Sequence, residues 1–357
     1  MKICIDGRPI RDPITGVAAY VLSILHCMRE SSCEMEAFVQ SNMGKNKYLE
    51  LIKNYKNICS VNNSFIENIK TELNITPKIL KNQKYDIVHE TYFSNLPINA
   101  DFKISTIHDV IPLDFPNFYN FKNRFFSKRN FYRQAHESDL IITVSNYSKS
   151  RILNISKSNK KVEVMPLAVS DIIKKNKNSH VGNKNDNFYL VIGNIEPRKN
   201  LITAAKAVNL INKKRDNKVK LVSVGREIFK SSNILAEVND ILGDNFKYMG
   251  FVSQEEKIKL LQQCKALIMP SSYEGFGIPV IEGHIIGCPV LIANNSSLTE
   301  LAICKEQLFE TFDYNELADR FDSIDHIKDS YKDCDFSNFY IENQRYLYEN
   351  IYSEVVS

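Results

Sequence analysis

Short, unbroken apolar runs recur along the chain, separated by longer stretches whose apolar positions fall three and four apart. In the first half the runs are Ile3-Cys4-Ile5, Ile87-Val88-His89, Ile104-Ser105-Thr106-Ile107 and Leu140-Ile141-Ile142-Thr143-Val144. Their continuous, β-branched character predicts parallel strands covered on both faces. Amphipathic stretches at 20–28 and 126–135 lie between them, so residues 1–173 read as a doubly wound α/β domain. The pattern breaks at 174–187, where almost nothing is apolar, and a linker is expected there. It resumes with Phe188-Tyr189-Leu190-Val191-Ile192, continues at 220–224, 266–269 and 289–292, and gives a second α/β domain over 188–337. An aromatic-rich stretch of helical spacing, 338–357, ends the chain.

Composition narrows this picture without adding chemistry. A chain of 357 residues suits two domains, and 43% hydrophobic with 25% charged residues is the balance of a soluble globular protein. No apolar run approaches the ~20 residues needed to span a bilayer. Met1-Lys2-Ile3-Cys4-Ile5-Asp6 enters a strand directly, without the zones of a signal peptide. Eight cysteines without any C-x-x-C pair predict reduced thiols and a cytoplasmic protein. A net charge of +4 permits anionic partners and gives no reason to expect nucleic acid.

The densest chemistry lies in Glu274-Gly275-Phe276-Gly277-Ile278-Pro279-Val280-Ile281-Glu282. A buried strand at 266–270 and a Ser-Ser-Tyr loop precede it, and a helix is expected to begin near Pro279, since proline is favoured in a first turn. The glycines let backbone approach a ligand, and the helix start favours an anion. Glu274 then sits at the loop mouth and Glu282 about one turn into the helix, where two acids can hold two polyols. Arg198 and Lys199, in the loop after the strand 188–192, can reach the same anion. His108 follows a strand and falls at the carboxyl edge of the first sheet, where open α/β sheets bind ligands; Asp109 beside it is an alternative helix cap.

These residues resemble the E-x7-E motif of retaining glycosyltransferases of family 4. Gly193-Asn194-Ile195-Glu196-Pro197-Arg198-Lys199-Asn200-Leu201, Thr106-Ile107-His108-Asp109-Val110-Ile111-Pro112, Val144-Ser145-Asn146-Tyr147-Ser148, Gly287-Cys288-Pro289-Val290-Leu291 and Ser296-Ser297-Leu298-Thr299-Glu300 agree in order, so the resemblance covers nearly the whole chain. It implies the GT-B fold: two Rossmann-like domains facing across a cleft, with a C-terminal helix (338–357) crossing back to the N-terminal, acceptor-binding domain. It also implies that Lys199 contacts the donor diphosphate, with Arg198 beside it. Asn194 stands where many members carry a further arginine. By the same resemblance Glu274 meets the donor sugar's hydroxyls, Glu282 the ribose, and His108 the sugar and acceptor. Gly275, Phe276, Gly277 and Ile278 line the donor site. Gly16, in the first βα loop, faces the diphosphate, and Val252 offers its backbone to the nucleobase with Arg226 lining that pocket.

The expected activity is transfer of a hexose, with retention, from a nucleotide-diphosphate sugar to a hydroxyl of a glycan or polyprenyl-diphosphate-linked oligosaccharide. No cofactor and no metal is required, and the single D-x-D, Asp333-Cys334-Asp335, is not read as a metal site. The motifs look most like those of bacterial mannosyltransferases of O-antigen or capsule synthesis, which favours GDP-mannose over UDP-hexoses. The interleaved bases and aromatics of 120–136 fit either contact with the inner face of the cell membrane or a helix whose aromatics face the core. A sugar-nucleotide epimerase on the same fold and a non-catalytic sugar-nucleotide-binding protein remain the alternatives.

Overall fold

The structure is a computed structural model that describes residues 1–10, 15–40, 58–63, 70–118, 121–182, 187–228 and 231–356. Residue 120 of the basic-aromatic segment and 183–186 of the expected linker lie outside the described residues. The chain forms two compact units, one of Met1–Ala168 with Ser337–Ser357, the other Val169–Phe336.

The first unit is built on seven parallel strands: β1 (Lys2–Asp6), β2 (Glu34–Gln40), β3 (Ile58–Asn63), β4 (Lys84–Glu90), β5 (Asn99–Thr106), β6 (Leu140–Thr143) and β7 (Lys161–Val164), in the order β3-β2-β1-β4-β5-β6-β7. The buried β6, four residues long with none exposed, shows why the runs are unbroken: helices cover both faces of the sheet. Helix α1 (Gly16–Met28) begins where the Thr15 side chain accepts from the Ala18 amide at 3.2 Å. Helix α2 spans Phe121–Glu137, and α3 (Asn146–Ser156) is capped by Ser145, which accepts from Ser148 N at 3.1 Å. Phe131 and Ala135 of α2 pack with Ile107, Val110, Ile141, Ile152 and Val162 in one core cluster.

Helix α2 is divided between the two readings of its sequence. Phe131 faces the core, whereas Phe121 and Phe125 are 84% and 56% exposed. Two of its arginines turn inward: Arg133 pairs with buried Glu90 at 2.7 Å, and Arg129 donates to the Glu72 carbonyl at 2.7 Å.

The second unit opens with a short helix α4 (Asp171–Lys175) and holds six parallel strands: β8 (Phe188–Ile192), β9 (Lys220–Val224), β10 (Phe246–Tyr248), β11 (Leu267–Met269), β12 (Val290–Ala293) and β13 (Leu308–Phe309). Their order is β10-β9-β8-β11-β12-β13. Helices α5 (Leu201–Lys213), α6 (Ser231–Leu242), α7 (Gln254–Gln263), α8 (Ile278–Ile286) and α9 (Tyr314–Arg320) connect or flank them.

The expected linker at 174–187 is corrected by this unit. The division falls after Ala168, and the polar segment 176–182 is ordered against the second unit. Asn178 N and His180 N donate to the Ile285 and Ile286 carbonyls at 2.9 Å, and Val181 N and Gly182 N to the Gln262 carbonyl at 3.0 and 3.1 Å. The segment caps the carboxyl ends of α7 and α8, where helices leave carbonyls without partners. Hydrogen bonding to those orphan groups, not apolar burial, orders it.

Helix α10 (Ile341–Val356) packs on α1 in the first unit. Gln344 Nε2 donates to the Pro166 carbonyl at 2.6 Å, and the Tyr352 hydroxyl meets His89 Nδ1 at 2.8 Å, while His89 Nε2 meets Thr106 Oγ1 at 2.7 Å. Burial, with the charge of His108 as a second cause, pushes the His89 imidazole down to about 3, so it is neutral throughout the ordinary range. Tyr352→Phe strands the buried Nδ1 and should cost about 1–3 kcal/mol, read as a lowered urea midpoint at unchanged slope.

Candidate functional site

In the second sheet β8 and β11 are neighbours from which the chain departs in opposite directions. Such a switch point leaves a crevice at the carboxyl edge where ligands of open α/β sheets bind. The loop from β8 carries a single 3-10 turn, Pro197–Lys199, closed by Asn200 in the left-handed conformation at φ 52°. Asn200 Nδ2 donates to the Pro270 carbonyl at 3.0 Å, and Ser272 N donates to the Arg198 carbonyl at 2.8 Å. The loops leaving β8 and β11 are thus stitched together before any charge is considered.

Charge converges on Glu274, which is 9% exposed. Lys199 Nζ lies 2.5 Å from its Oε1 and Arg198 Nη1 3.0 Å from its Oε2. Burial pushes the Glu274 carboxyl up, but the charges of Lys199 and Arg198, with hydrogen bonds from Lys199 and Ser271, outweigh it and hold it at about 2. Arg198 is committed within the loop, since Nη1 also donates to the Tyr273 carbonyl at 2.6 Å and Nη2 pairs with Glu196 at 2.5 Å.

The turn 275–277 then leads into α8, which starts at Ile278 with Pro279 in its first turn and no side-chain cap. Gly277 has φ +122°, and a Cβ there would lie 2.9 Å from Leu298 Cδ2, so only glycine fits. Ser297 Oγ donates to the Glu274 and Phe276 carbonyls at 2.9 Å, and the Glu274 amide donates to Ser296 Oγ at 3.0 Å. This explains the Ser296-Ser297 part of the sequence pattern: it fixes the turn that presents Gly275, Phe276 and Gly277.

Glu282, one turn into α8 and 3% exposed, is no surface acid. Both its oxygens are held by Lys257 Nζ from α7, at 2.6 and 2.7 Å. Sequence reasoning missed Lys257, because a lysine on an amphipathic helix carries no signal of its own. Helix α7 begins at a serine cap: Ser253 Oγ accepts from Glu256 N at 3.1 Å.

A second close approach joins the loops of β8 and β9. A Cβ at Gly225, where φ is +149°, would fall 1.9 Å from the Gly193 carbonyl oxygen. Gly225 N also donates to the Gly250 carbonyl at 2.8 Å, which draws in the loop after β10 with Phe251 and half-buried Val252. Arg226 stacks its guanidinium carbon 4.5 Å from the Phe251 ring centre. Lys199, Glu274, Arg226 and Val252 therefore belong to one set of loops at one edge of the second unit, and Glu282 lies in the helix that follows one of them.

His108 and Gly16 belong to the first unit, each described there by itself. His108 lies beyond β5 and its Nε2 donates to the Thr91 carbonyl at 3.0 Å, which leaves the lone pair on Nδ1. Burial pushes the imidazole down to about 4, so it is neutral at pH 7. Tyr20, unremarked in the sequence, packs edge-on against it at 4.7 Å between ring centres. Asp109 Oδ1 accepts from Ile111 N at 3.0 Å, a local turn just before the short helix 111–114, whose N-cap position is Val110 and not Asp109. Gly16 is the first residue of α1, and a Cβ there would meet nothing within 4 Å, so packing does not require glycine at this place.

Comparison with known proteins agrees with the fold and names the class. The family described as Glycosyltransferase Family 4 matches residues 14–171, and Glycosyl transferases group 1 matches residues 172–337. The chain belongs to the family 4 glycosyltransferases of GT-B fold, and it is a glycosyltransferase. Its similar proteins include O-antigen chain mannosyltransferase B of Escherichia coli, 24% identical over 328 residues, with 84% of each chain covered. The serotype-specific mannosyltransferase WbdA of Escherichia coli is 26% identical over 262 residues, which is 68% of this chain and 32% of that protein. Among solved structures, HepE of Anabaena in complex with UDP and glucose superposes with a TM-score of 0.71 at 14% identity, covering 99% of this chain and 100% of that one. Sucrose-phosphate synthase of Thermosynechococcus elongatus gives a TM-score of 0.71 at 16% identity, covering 99% of each. At such identities these structures share the fold.

The ionisation of Glu274 has a pH signature. Its folded value of about 2 lies below the ordinary 4.5, so it contributes stability that is fully present above about pH 4.5 and is lost as pH falls toward 2. In Lys199→Met that depression shrinks, and urea-unfolding stability should fall less steeply over this acid window than in the parent protein.

Proposed function

We propose that this protein is a retaining hexosyltransferase that moves mannose from GDP-mannose to a hydroxyl of a glycan carried on a polyprenyl diphosphate, in the synthesis of a bacterial surface polysaccharide such as O-antigen or capsule. The observation that carries this reading is the convergence of Lys199 and Arg198 on Glu274 at the switch point of the second sheet, beside the uncapped start of α8. The mannosyltransferase names of the relatives support the choice of sugar.

Loss of a nucleoside diphosphate needs fixed positive charge where negative charge builds up. Lys199 and the amino-terminal end of α8 supply it without a metal, and Arg198 acts as a positioning residue that holds Glu274. The sugar hydroxyls take their place on Glu274, and the ribose on Glu282. The first unit, at the edge around His108, receives the acceptor, where the neutral imidazole accepts a hydrogen bond at Nδ1.

A carboxylate held at about pKa 2 between two cations is a weak nucleophile, which favours attack on the face the leaving group departs from. The bond from the anomeric carbon to the diphosphate oxygen breaks, and its electron pair leaves with the diphosphate. The acceptor oxygen bonds to the anomeric carbon on that same face, and its proton passes to the departing phosphate oxygen. Retention follows.

None of the described helices is long and apolar enough to cross a membrane. For a lipid-linked acceptor the exposed part of α2 offers the contact, with Phe121, Phe125, Arg124 and Lys128 outward toward an anionic bilayer at the inner face of the cell membrane.

Assayed by release of GDP from GDP-mannose with acceptor present, Lys199→Ala and Glu274→Ala should each lower turnover by about 100-fold or more. Full turnover in either variant removes that residue from the site. In vesicle flotation, the double change Phe121→Ser with Phe125→Ser should abolish binding to anionic vesicles while leaving turnover on a soluble acceptor intact; unchanged flotation excludes this face.

A further inference from the structure

A half-buried imidazole that is to meet a substrate has to be held in two respects, the place of its far end and the plane of its ring. Nε2 of His108 donates to the Thr91 carbonyl at 3.0 Å, and Thr91 is itself tied down, its hydroxyl donating to the Asp6 carbonyl at 2.7 Å. That bond fixes the far end of the ring. It leaves a pivot about the line from Cγ to Nε2, and Nδ1, which lies off that line, swings with the pivot.

The Tyr20 ring blocks the pivot. It meets His108 edge to face, with ring centres 4.7 Å apart and planes at 88°. Aromatic rings prefer this arrangement, in which the positive edge of one faces the negative face of the other. Turning the imidazole would drive it into the tyrosine or open a gap beside it.

Tyr20 does not give way, because it is built into the interior. It lies in α1, 3% exposed, and its hydroxyl meets Thr106 Oγ1 at 2.8 Å. Thr106, the last residue of β5, is also 2.7 Å from His89 Nε2, and His89 Nδ1 is 2.8 Å from the Tyr352 hydroxyl of α10. Three hydroxyls and one imidazole thus run in a line from the last helix to the wall against which His108 rests. A tyrosine that served packing alone would need only a partner for its hydroxyl. This one also lays its ring on a group at the carboxyl edge of the sheet.

We propose that Tyr20 is a positioning residue for glycosyl transfer: its ring, anchored through Thr106, sets the plane of His108 and so the direction from which Nδ1 meets the acceptor hydroxyl. This rests on the reading of His108 as the group that receives the acceptor, and adds to it the residue that aims the ring.

Two measurements on the full chain test this. In nuclear magnetic resonance spectra of the protein with isotope-labelled histidine, the parent His108 should show the Nε2–H tautomer as one sharp signal. Tyr20→Met, which fills much of the space with a flexible chain, should broaden that signal by exchange, and Tyr20→Phe, which keeps the ring, should leave it sharp. In GDP release from GDP-mannose with an alkyl mannoside as acceptor, Tyr20→Met should lower turnover about tenfold at unchanged KM for GDP-mannose, and Tyr20→Phe should restore it to within about threefold of the parent. In a His108→Ala background Tyr20→Met should cost nothing further. An equal loss in both backgrounds, or a His108 signal that stays sharp in Tyr20→Met, means that Tyr20 only packs, and the proposal falls while His108 keeps its role. Parent turnover in His108→Ala overturns the reading of His108 and this proposal with it. If Tyr20→Met does not fold, Tyr20→Leu takes its place, and a His108 signal already broadened in the parent overturns the proposal without any variant.

Discussion

Glu274 can remain ionised in a nearly closed position because two cations reach it from the neighbouring loop, Lys199 at 2.5 Å and Arg198 at 3.0 Å. Burial alone drives a carboxyl toward its neutral form. Here the cations win, and the carboxyl is held at about 2. The arrangement requires the loops after β8 and β11 to lie side by side, which their hydrogen bonds through Asn200 and Ser272 secure. It also requires room for the lysine stem, which lies against Gly193, where a Cβ would come 3.1 Å from Lys199 Cε. Gly193 in turn touches Gly225, so the geometry of one ion pair extends through the glycines to the loops that carry Arg226 and Phe251.

The same device occurs twice along α8. Glu274 stands before the helix and is held by Lys199; Glu282 stands one turn inside and is held by Lys257. Buried ion pairs contribute little net stability, because desolvation offsets their attraction. Their value lies in orientation. Each carboxylate is fixed in orientation by the lysine that meets it. The helix start between them completes a strip that alternates negative side chains with a positive backbone end.

The first unit solves a different problem. Its two histidines at the carboxyl edge of β4 and β5 are kept neutral by burial, His89 locked between Tyr352 and Thr106, and His108 donating to Thr91. A neutral ring whose Nε2 proton is engaged presents an acceptor without a charge. His89 depends on α10, the last helix of the chain, so the carboxyl end of the sequence completes the interior of the first unit. The polar run at 176–182 shows the complementary case, in which carbonyls at helix ends order a segment with almost no apolar residue.

By itself the sequence determined the alternation of strands and helices, the two-unit α/β class, and the E-x7-E segment with its lysine and arginine. Periodicity, glycine and capping residues act locally, so these features survive in a linear reading. The helix expected to begin near Pro279 starts at Ile278, and Arg198 and Lys199 lie close to Glu274. Only the tertiary structure decided that Arg198 is spent on Glu196, Tyr273 and Glu274, that Lys257 clamps Glu282, that 176–182 is ordered, and that α2 divides its aromatics between core and surface. Each of these depends on groups brought together from distant parts of the chain, and a charge in sequence carries no mark of the partner that will neutralise it.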